Sequence, residues 1–508
     1  MLKNMKLGTK LLVAFLLVGV IPAAIIGVIA LYEASSSLSQ QAFNQLEGMR
    51  GIKKAQIEQF FAEREGDMGV LMETVSAMQS SAFAKLEAVQ ELKKNQVEEL
   101  FQGQQQRLQA LKSDPYAQTA MFRFIQDFDE EEKIGTSTWN RQAAKYQIRF
   151  EELMNQYGWY DIFIIHPNGD ILYSVTRESD LGMNLADGEL KDSSLGRAYA
   201  EAVDMDAESL AVGDFAPYAP SNGAFAAFMM AKIEGDMYET QGFFAFQLPT
   251  APINAIVQQR AGMGQTMETY LVGELDGVTA YRSDRVVKKS NKIGKKKGGS
   301  NIKAALSGKS GIRIKTGSSG AVEVVAFAPL DIPGLNWVSI TSGSLEEVLA
   351  AKAEGEEKDF FTKYIEKYGY YDLFLIHPKG RVFYSVSKEA DYETNMVGGK
   401  YKDSGLGQLT RKVLETKQYG VADFAPYAPS NSDPAAFIAQ PVLHGGEVEL
   451  IVALQLNTGA INAVMTQREG LGETGDTYLV GSDKLMRSDT YLDPVNHTVK
   501  ASFADPSK

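Results

Sequence analysis

The chain has 508 residues, with 51 Lys+Arg against 64 Asp+Glu, four histidines and no cysteine. That length predicts two to four domains, and 44% hydrophobic with 23% charged residues excludes a mostly disordered polypeptide. A net charge of −13 disfavours a nucleic-acid partner, and the missing cysteines exclude disulfides, thiol nucleophiles and Cys-ligated zinc or iron–sulfur clusters.

Residues 11–32 (LLVAFLLVGVIPAAIIGVIALY) carry no charge over 22 positions. A helix of that length spans roughly 33 Å, enough for a hydrocarbon core of about 30 Å. A cleaved signal peptide would have an apolar region of about 7–15 residues and a small-residue cleavage site. This run is longer, and Glu33-Ala34-Ser35 is an indifferent site. The segment is therefore expected to be an uncleaved transmembrane anchor. Lys3, Lys6 and Lys10 put residues 1–10 in the cytoplasm by the positive-inside rule. The rest is expected outside the inner (plasma) membrane, with 48 basic and 64 acidic residues and a net charge of −16.

Residues 33–113 predict a helical stalk. QAFNQLEGMRGIKKAQIEQFF (41–61) repeats as SAFAKLEAVQELKKNQVEELF (81–101) at an offset of 40, with Lys53-Lys54 matching Lys93-Lys94. Apolar residues three to five apart among Glu, Gln and Lys make an amphipathic helix that packs on itself or on a second subunit. No proline occurs from 33 to 114, so Pro115 is the expected stop. Gly48, Gly51, Gly66 and Gly69 weaken a continuous rod, and a folded-back pair is the alternative.

A larger repeat organises the remainder. Residues 157–196 align with 368–407 at an offset of 211, with 21 of 40 positions identical. DFAPYAPSN occurs at 214–222 and again at 423–431, residues 247–273 recur as 455–481, and Arg282-Ser283-Asp284 recurs as Arg487-Ser488-Asp489. A unit of about 200 residues is a duplicated domain, too long for a solenoid repeat. Within it, 161–166 and 171–175 read as strands around a Pro-Asn-Gly-Asp turn, and 191–204 as a helix. Residues 225–230 and 242–248 read as strands, and 251–259 as a helix. A second strand set covers 268–272, 311–315, 322–329 and 336–341, with a turn at 317–320. The pattern is α+β.

Signatures of catalysis are missing: no HExxH, Walker loop or GxSxG elbow occurs, and no cofactor is expected. His166 and His377 close equivalent strands and read as structural. The lysine run 288–297 reads as a solvated loop, with an anionic membrane surface as the sharper alternative. Ligand binding has better candidates. Asp214, Tyr218 and Asn222, with Asp423, Tyr427 and Asn431, supply an acid, an aromatic and an amide twice. The competing reading is a proline-rich turn at a sheet edge, with Tyr packing and Asp capping.

The segments YGYYDLFLIHPKGRVFYSV, DFAPYAPSN, GETGDTYLVGSDKLMRSD and AFAPLDIPGLNWVSI, behind an N-terminal anchor, resemble the double Cache sensor regions of bacterial methyl-accepting chemotaxis proteins. The resemblance implies tandem PAS-like modules with antiparallel sheets held by a long helix. These are a membrane-distal-type module at 114–262, a proximal-type one at 263–345, a second distal one at 346–470 and an incomplete second proximal one at 471–508. It implies a homodimer through the helices, a small organic ligand and no enzymatic activity. It also implies a chain truncated before a second membrane helix and a signalling hairpin. The alternative output is a histidine kinase or a nucleotide cyclase. In the amino-acid-sensing branch of the family an Arg-x-Trp-Tyr segment holds the ligand carboxylate. The matching stretches here are 188–191 and 399–402, which have neither Arg nor Trp, so Lys191 and Lys402 are the cations left to meet a carboxylate. Tyr218 and Tyr427 match the family's later tyrosine, and Gln247 and Gln455 stand at its aspartate position.

Overall fold

A computed structural model describes residues 6–505 except 236, 238, 318 and 319. Lys3 and the centre of the expected 317–320 turn lie outside the described residues. An α-helix (Leu7–Phe15), a π-helical turn (Leu16–Val20) and a second α-helix (Ile21–Ser113) follow one another without interruption. The N-terminal part is long and apolar enough to cross a membrane, and none of its most apolar window is buried. The four stalk glycines lie inside the second helix and do not break it. Pro115 ends it as expected and also starts the next helix, Pro115–Glu131, where Asp114 caps Tyr116 and Ala117 N–H. That helix and Ser137–Tyr157 were not legible as separate elements.

Three five-stranded antiparallel sheets follow. The first contains β1 (Asp161–Ile165), β2 (Ile171–Ser174), β3 (Leu210–Tyr218), β4 (Ala224–Glu234) and β5 (Thr240–Leu248), in the order β2-β1-β5-β4-β3. The second contains β6 (Glu268–Leu275), β7 (Val278–Tyr281), β8 (Gly311–Thr316), β9 (Val322–Pro329) and β10 (Trp337–Ser344), in the order β7-β6-β10-β9-β8. The third repeats the first with β11 (Asp372–Ile376), β12 (Val382–Ser385), β13 (Gly420–Tyr427), β14 (Asp433–His444) and β15 (Glu447–Leu456). The α+β expectation holds. The first sheet explains its own near-continuous apolar strands. Ile162, Ile164, Phe244 and Phe246 face helix residues such as Phe101, Phe124 and Phe150, whereas Phe163, Ile165, Phe228 and Phe243 face helix Ser194–Asp204 on the other side. Both faces are buried, so polar–apolar alternation disappears.

Two sequence expectations change. The helix read over 191–204 begins at Ser194, because Ser193 accepts a hydrogen bond from Gly196 N–H at 3.1 Å and caps it. The first five residues of DFAPYAPSN end strand β3, which the prolines had hidden. Within the 33–113 segment, Val97, Phe101 and Leu108 pack into a module core.

The chain divides into two compact units, Ala77–Ala351 and Met1–Ser76 with Lys352–Lys508. The 40-residue helix repeat is explained within each. Lys93 Nζ donates to Ile256 O at 2.7 Å, at the end of helix Ala251–Val257. Lys53 Nζ donates to Val464 O at 2.6 Å, at the end of helix Thr458–Met465. A buried lysine on the C-terminal carbonyls of a docked helix is favourable. Burial pushes both ammonium groups below their ordinary value, with Glu469 opposing this for Lys53.

Candidate functional site

Polar groups concentrate where β1, β3 and β5 meet the segment after β2. Asp161 at the start of β1 accepts from Ile162 N–H at 2.7 Å, Val175 N–H at 2.8 Å, Ser174 Oγ at 2.7 Å and the Thr176 hydroxyl, tying the strand pair together. Tyr218, at the end of β3, donates its hydroxyl to Asp180 Oδ2 at 2.9 Å, and both side chains are buried. Gln247 on β5 lies opposite Asp161 and donates Nε2 to Ser221 Oγ at 3.1 Å. Ser221 in turn donates to Glu178 Oε2 at 2.7 Å, and Tyr160 donates to Glu178 Oε1 at 2.7 Å.

The second copy reproduces this network. Tyr427 donates to Asp391 Oδ2 at 2.6 Å, Gln455 to Ser430 Oγ at 3.1 Å, Ser430 to Glu389 Oε2 at 2.6 Å and Tyr371 to Glu389 Oε1 at 2.7 Å. In both copies the same two acceptors are left over. Asp180 Oδ1 and Gln247 Oε1 have no hydrogen-bond partner among the described residues, and neither have Asp391 Oδ1 and Gln455 Oε1.

Desolvation sets the electrostatics. Burial pushes the Asp180 carboxyl up to about 6, opposed by the Tyr218 hydrogen bond and helped by nearby Asp161 and Glu178. Asp372 rises to about 6 for the same reason, against the Ser385 hydrogen bond. Burial also raises Asp161 and Asp391. In the first copy Asp161, Glu178 and Asp180 make no ion pair with Lys or Arg among the described residues, so near neutral pH the site is negative and lined by acceptors.

Of the residues expected at the site, the structure brings Tyr218 and Gln247 together, and likewise Tyr427 and Gln455. Asp214 lies elsewhere, at the bulge of β3, where it holds Arg282. Arg282 Nε is 2.9 Å from both of its oxygens and Nη2 is 2.7 Å from Oδ2, while Trp337 Nε1 donates to Oδ1 at 3.0 Å. Asp423 holds Arg487 in the same way, at 2.9 Å. A Cβ at neighbouring Gly213 would stand 2.0 Å from Ser194 O. The second copy has Gly405 in place of Ser194 and Ala422 in place of Gly213, so small residues trade places across the same contact. Asn222 and Asn431 are exposed turn residues at φ 54° and 53°, the left-handed region that asparagine tolerates. Lys191 and Lys402 are exposed. Leu190 and Tyr401, beside them in the stretches matched to the carboxylate-binding segment, are buried in the core.

Sequence reasoning missed Asp180, Glu178, Ser221 and their copies. The signal was present, since Glu178 and Asp180 are identical to Glu389 and Asp391 within the aligned 40 residues. The lysine run is partly tied down, by Lys288–Glu323 at 2.6 Å and Lys292–Asp284 at 2.8 Å. His166 and His377 each accept the N–H of the residue two further on and shape the turn.

No protein-family model matches the chain, and no curated protein matches it. Sensory ligand-binding domains are among the solved structures that resemble it. The ligand-binding domain of the Campylobacter jejuni chemoreceptor Tlp3, solved with L-valine, is 12% identical over 54% of this chain and 97% of that one, at a TM-score of 0.38. The extracellular domain of the putative histidine kinase rpHK1S-Z16 is 11% identical over 54% of this chain and 98% of that one, at 0.37. The ligand-binding domain of the Pseudomonas aeruginosa PAO1 amino acid chemoreceptor PctC, in complex with GABA, is 13% identical over 51% and 99%, at 0.34.

Proposed function

We propose that the chain is the extracytoplasmic small-molecule sensing region of a membrane-anchored receptor of the chemotaxis type, held in the inner membrane by residues 11–32. The observation that carries this reading is the duplicated buried network with its two unpartnered acceptors, Asp180 Oδ1 and Gln247 Oε1, repeated at Asp391 and Gln455. A buried acceptor without a partner costs about 1–3 kcal/mol, so a group that donates to both is bound with that cost relieved. The complementary ligand is a small organic cation with N–H donors, such as a primary amine. A carboxylate would meet only acceptors and negative charge.

The domain limits 114–262, 263–345, 346–470 and 471–508 belong to this proposal, as does dimerisation through the helix. Phe43 and Leu46, about 60° apart around the helix, remain exposed there and supply an apolar patch for a second copy. The test is a thermal-shift screen of the full chain in detergent, with small amines and small carboxylic acids as the two arms. A binder at 100 times its dissociation constant stabilises the folded state by about 2.7 kcal/mol. Amines should raise the melting temperature and acids should not. The assignment fails if Asp180→Asn together with Asp391→Asn leaves an amine's shift intact.

A further inference from the structure

The lysine run 288–297 has no part in the amine site, yet it converges on one face of the second sheet. Val272 lies opposite Tyr281, Ser342 opposite both Glu268 and Val325, and Glu323 opposite Lys315. Side chains alternate along a strand, so Tyr281, Tyr270, Glu268, Glu323 and Lys315 share that face. Lys296 bridges Ala280, and Lys297 N–H donates to Thr279 O at 3.0 Å, which turns the Lys297 side chain to the same face. Helix Ser300–Leu306 lies over it, with Ile302 and Ala305 in one core with Tyr270 and Tyr281.

The charges on this face do not balance. Arg285 lies over the Tyr270 ring at 4.1 Å and donates Nε and Nη2 to Glu268 Oε1 at 3.0 and 2.6 Å. Glu323 is shared by Lys288 at 2.6 Å and Lys315 at 3.7 Å. The Lys297 side chain makes no hydrogen bond or ion pair among the described residues. Four cations therefore face two carboxylates. Burial pushes the Lys297 ammonium below its ordinary value, helped by Lys315, Arg285 and Lys288 and opposed by Glu323. Burial lowers Lys315 as well, again against Glu323. Asn301, one turn before Ala305 on the covering helix, is buried with its Nδ2 donor unpartnered. Lys297 and Lys315 are half-buried, so solutes reach them.

We propose that Lys297, Lys315 and Asn301 bind the phosphate group of an anionic ligand on this face of the second sheet. The two surplus positive charges match a phosphate monoester, which carries about −1.5 to −2 near neutral pH. Ammonium groups hold phosphate as point charges and need no planar fork. A carboxylate is best held by a guanidinium fork, and Glu268 already fills that of Arg285. The site is separate from the Tyr218–Asp180 network and opposite to it in charge, so it stands whether or not that network binds amines. Its phosphate comes from a soluble ester or from a lipid headgroup, which the neighbouring exposed Lys289 and Lys296 would meet first.

The test titrates the full chain, in detergent and phosphate-free buffer, with glycerol phosphate and with inorganic phosphate, and follows the heat released. Vesicles containing phosphatidic acid, whose headgroup is a phosphate monoester, form the second arm, with phosphatidylglycerol vesicles as control. Lys297→Gln and Lys315→Gln should each weaken binding by about tenfold. Lys289→Gln with Lys296→Gln should leave binding of the free phosphates unchanged. Lys297 has no partner to strand, so its variant should fold, and melting curves without ligand check this. Weakened binding of the free phosphates supports the site with a soluble ester as its ligand. Weakened binding of phosphatidic acid alone supports it with a headgroup. The proposal is overturned if nothing binds or if both lysine variants bind as the parent does. It is equally overturned if only vesicles bind and phosphatidylglycerol serves as well as phosphatidic acid.

Discussion

The pentapeptide TYLVG has two fates in this molecule. At 269–273 it is the centre of strand β6, buried between β7 and β10. At 477–481 it is not a strand, and Val480 makes a single bridge to Met486. Two differences account for this. The first copy has β10 beside it, and it has Arg285, which lies over the Tyr270 ring at 4.1 Å and pairs with Glu268 at 2.6 Å. The second copy has Thr490 where Arg285 stands and Asp476 where Glu268 stands. A β-rich sequence becomes a strand when something supplies its cross-strand partners, which is why strand propensity depends on context.

The comparison can be broken most directly at Trp337, which touches Phe101, Phe215 and Asp214 in one unit and has no counterpart in the described part of the other. Trp337→Ala should destabilise the Ala77–Ala351 unit by about 3–5 kcal/mol. Calorimetry should show that unit's transition falling while the other stays in place. Equal movement of both would mean that the two copies do not differ in the way described.

Arginine comes next. Arg282 and Asp214 are both buried, with side chains 3% and 6% exposed. Removing one partner of such a pair strands the other charge and costs about 3 kcal/mol or more. Arg487 faces a carboxylate that water reaches, with Asp483 as a second acid at 2.8 Å. Arg282→Met should therefore lower stability by about 3 kcal/mol, and Arg487→Met by about 1 kcal/mol or less. Denaturant melts of the two variants measure the asymmetry, and equal losses would refute it.

The same context dependence marks what the sequence made legible. The hairpin around Pro167-Asn168-Gly169, the long apolar N-terminal helix and the two-copy organisation follow from local patterns and self-similarity. Strand β3 did not, because its proline, Pro217, sits next to a bulge that no local rule predicts. Tyr218 and Gln247 were legible as binding candidates, and the fold sets both in one buried polar network, whereas it holds Asp214 on Arg282. An acid inside a repeated motif looks the same whether it awaits a ligand or an arginine 68 positions away. Asp180 was overlooked for the converse reason: it sits in a turn-rich stretch, and only the fold brings it to Tyr218.

The smallest expected effect is on pH dependence, and it separates the two copies more finely. The Asp180 carboxyl sits at about 6 in the folded protein, against an ordinary value near 3.8. Between those values the folded state binds a proton that the unfolded state has released, so stability rises as pH falls through the window. This contribution is complete below the ordinary value and is lost as pH climbs past about 6. Acidification from about pH 7.5 to about pH 5.5 should raise the melting temperature of the Ala77–Ala351 unit by about 2–4 °C. Asp180→Asn should flatten that slope. In the other unit the group displaced to about 6 is Asp372, which caps the strand pair, and Asp372→Asn should flatten its slope. The same titration should weaken amine binding in the first copy as pH falls below about 6, because a protonated Asp180 no longer presents a charge. If melting curves show slopes untouched by either substitution, the buried carboxylates are not the groups that titrate.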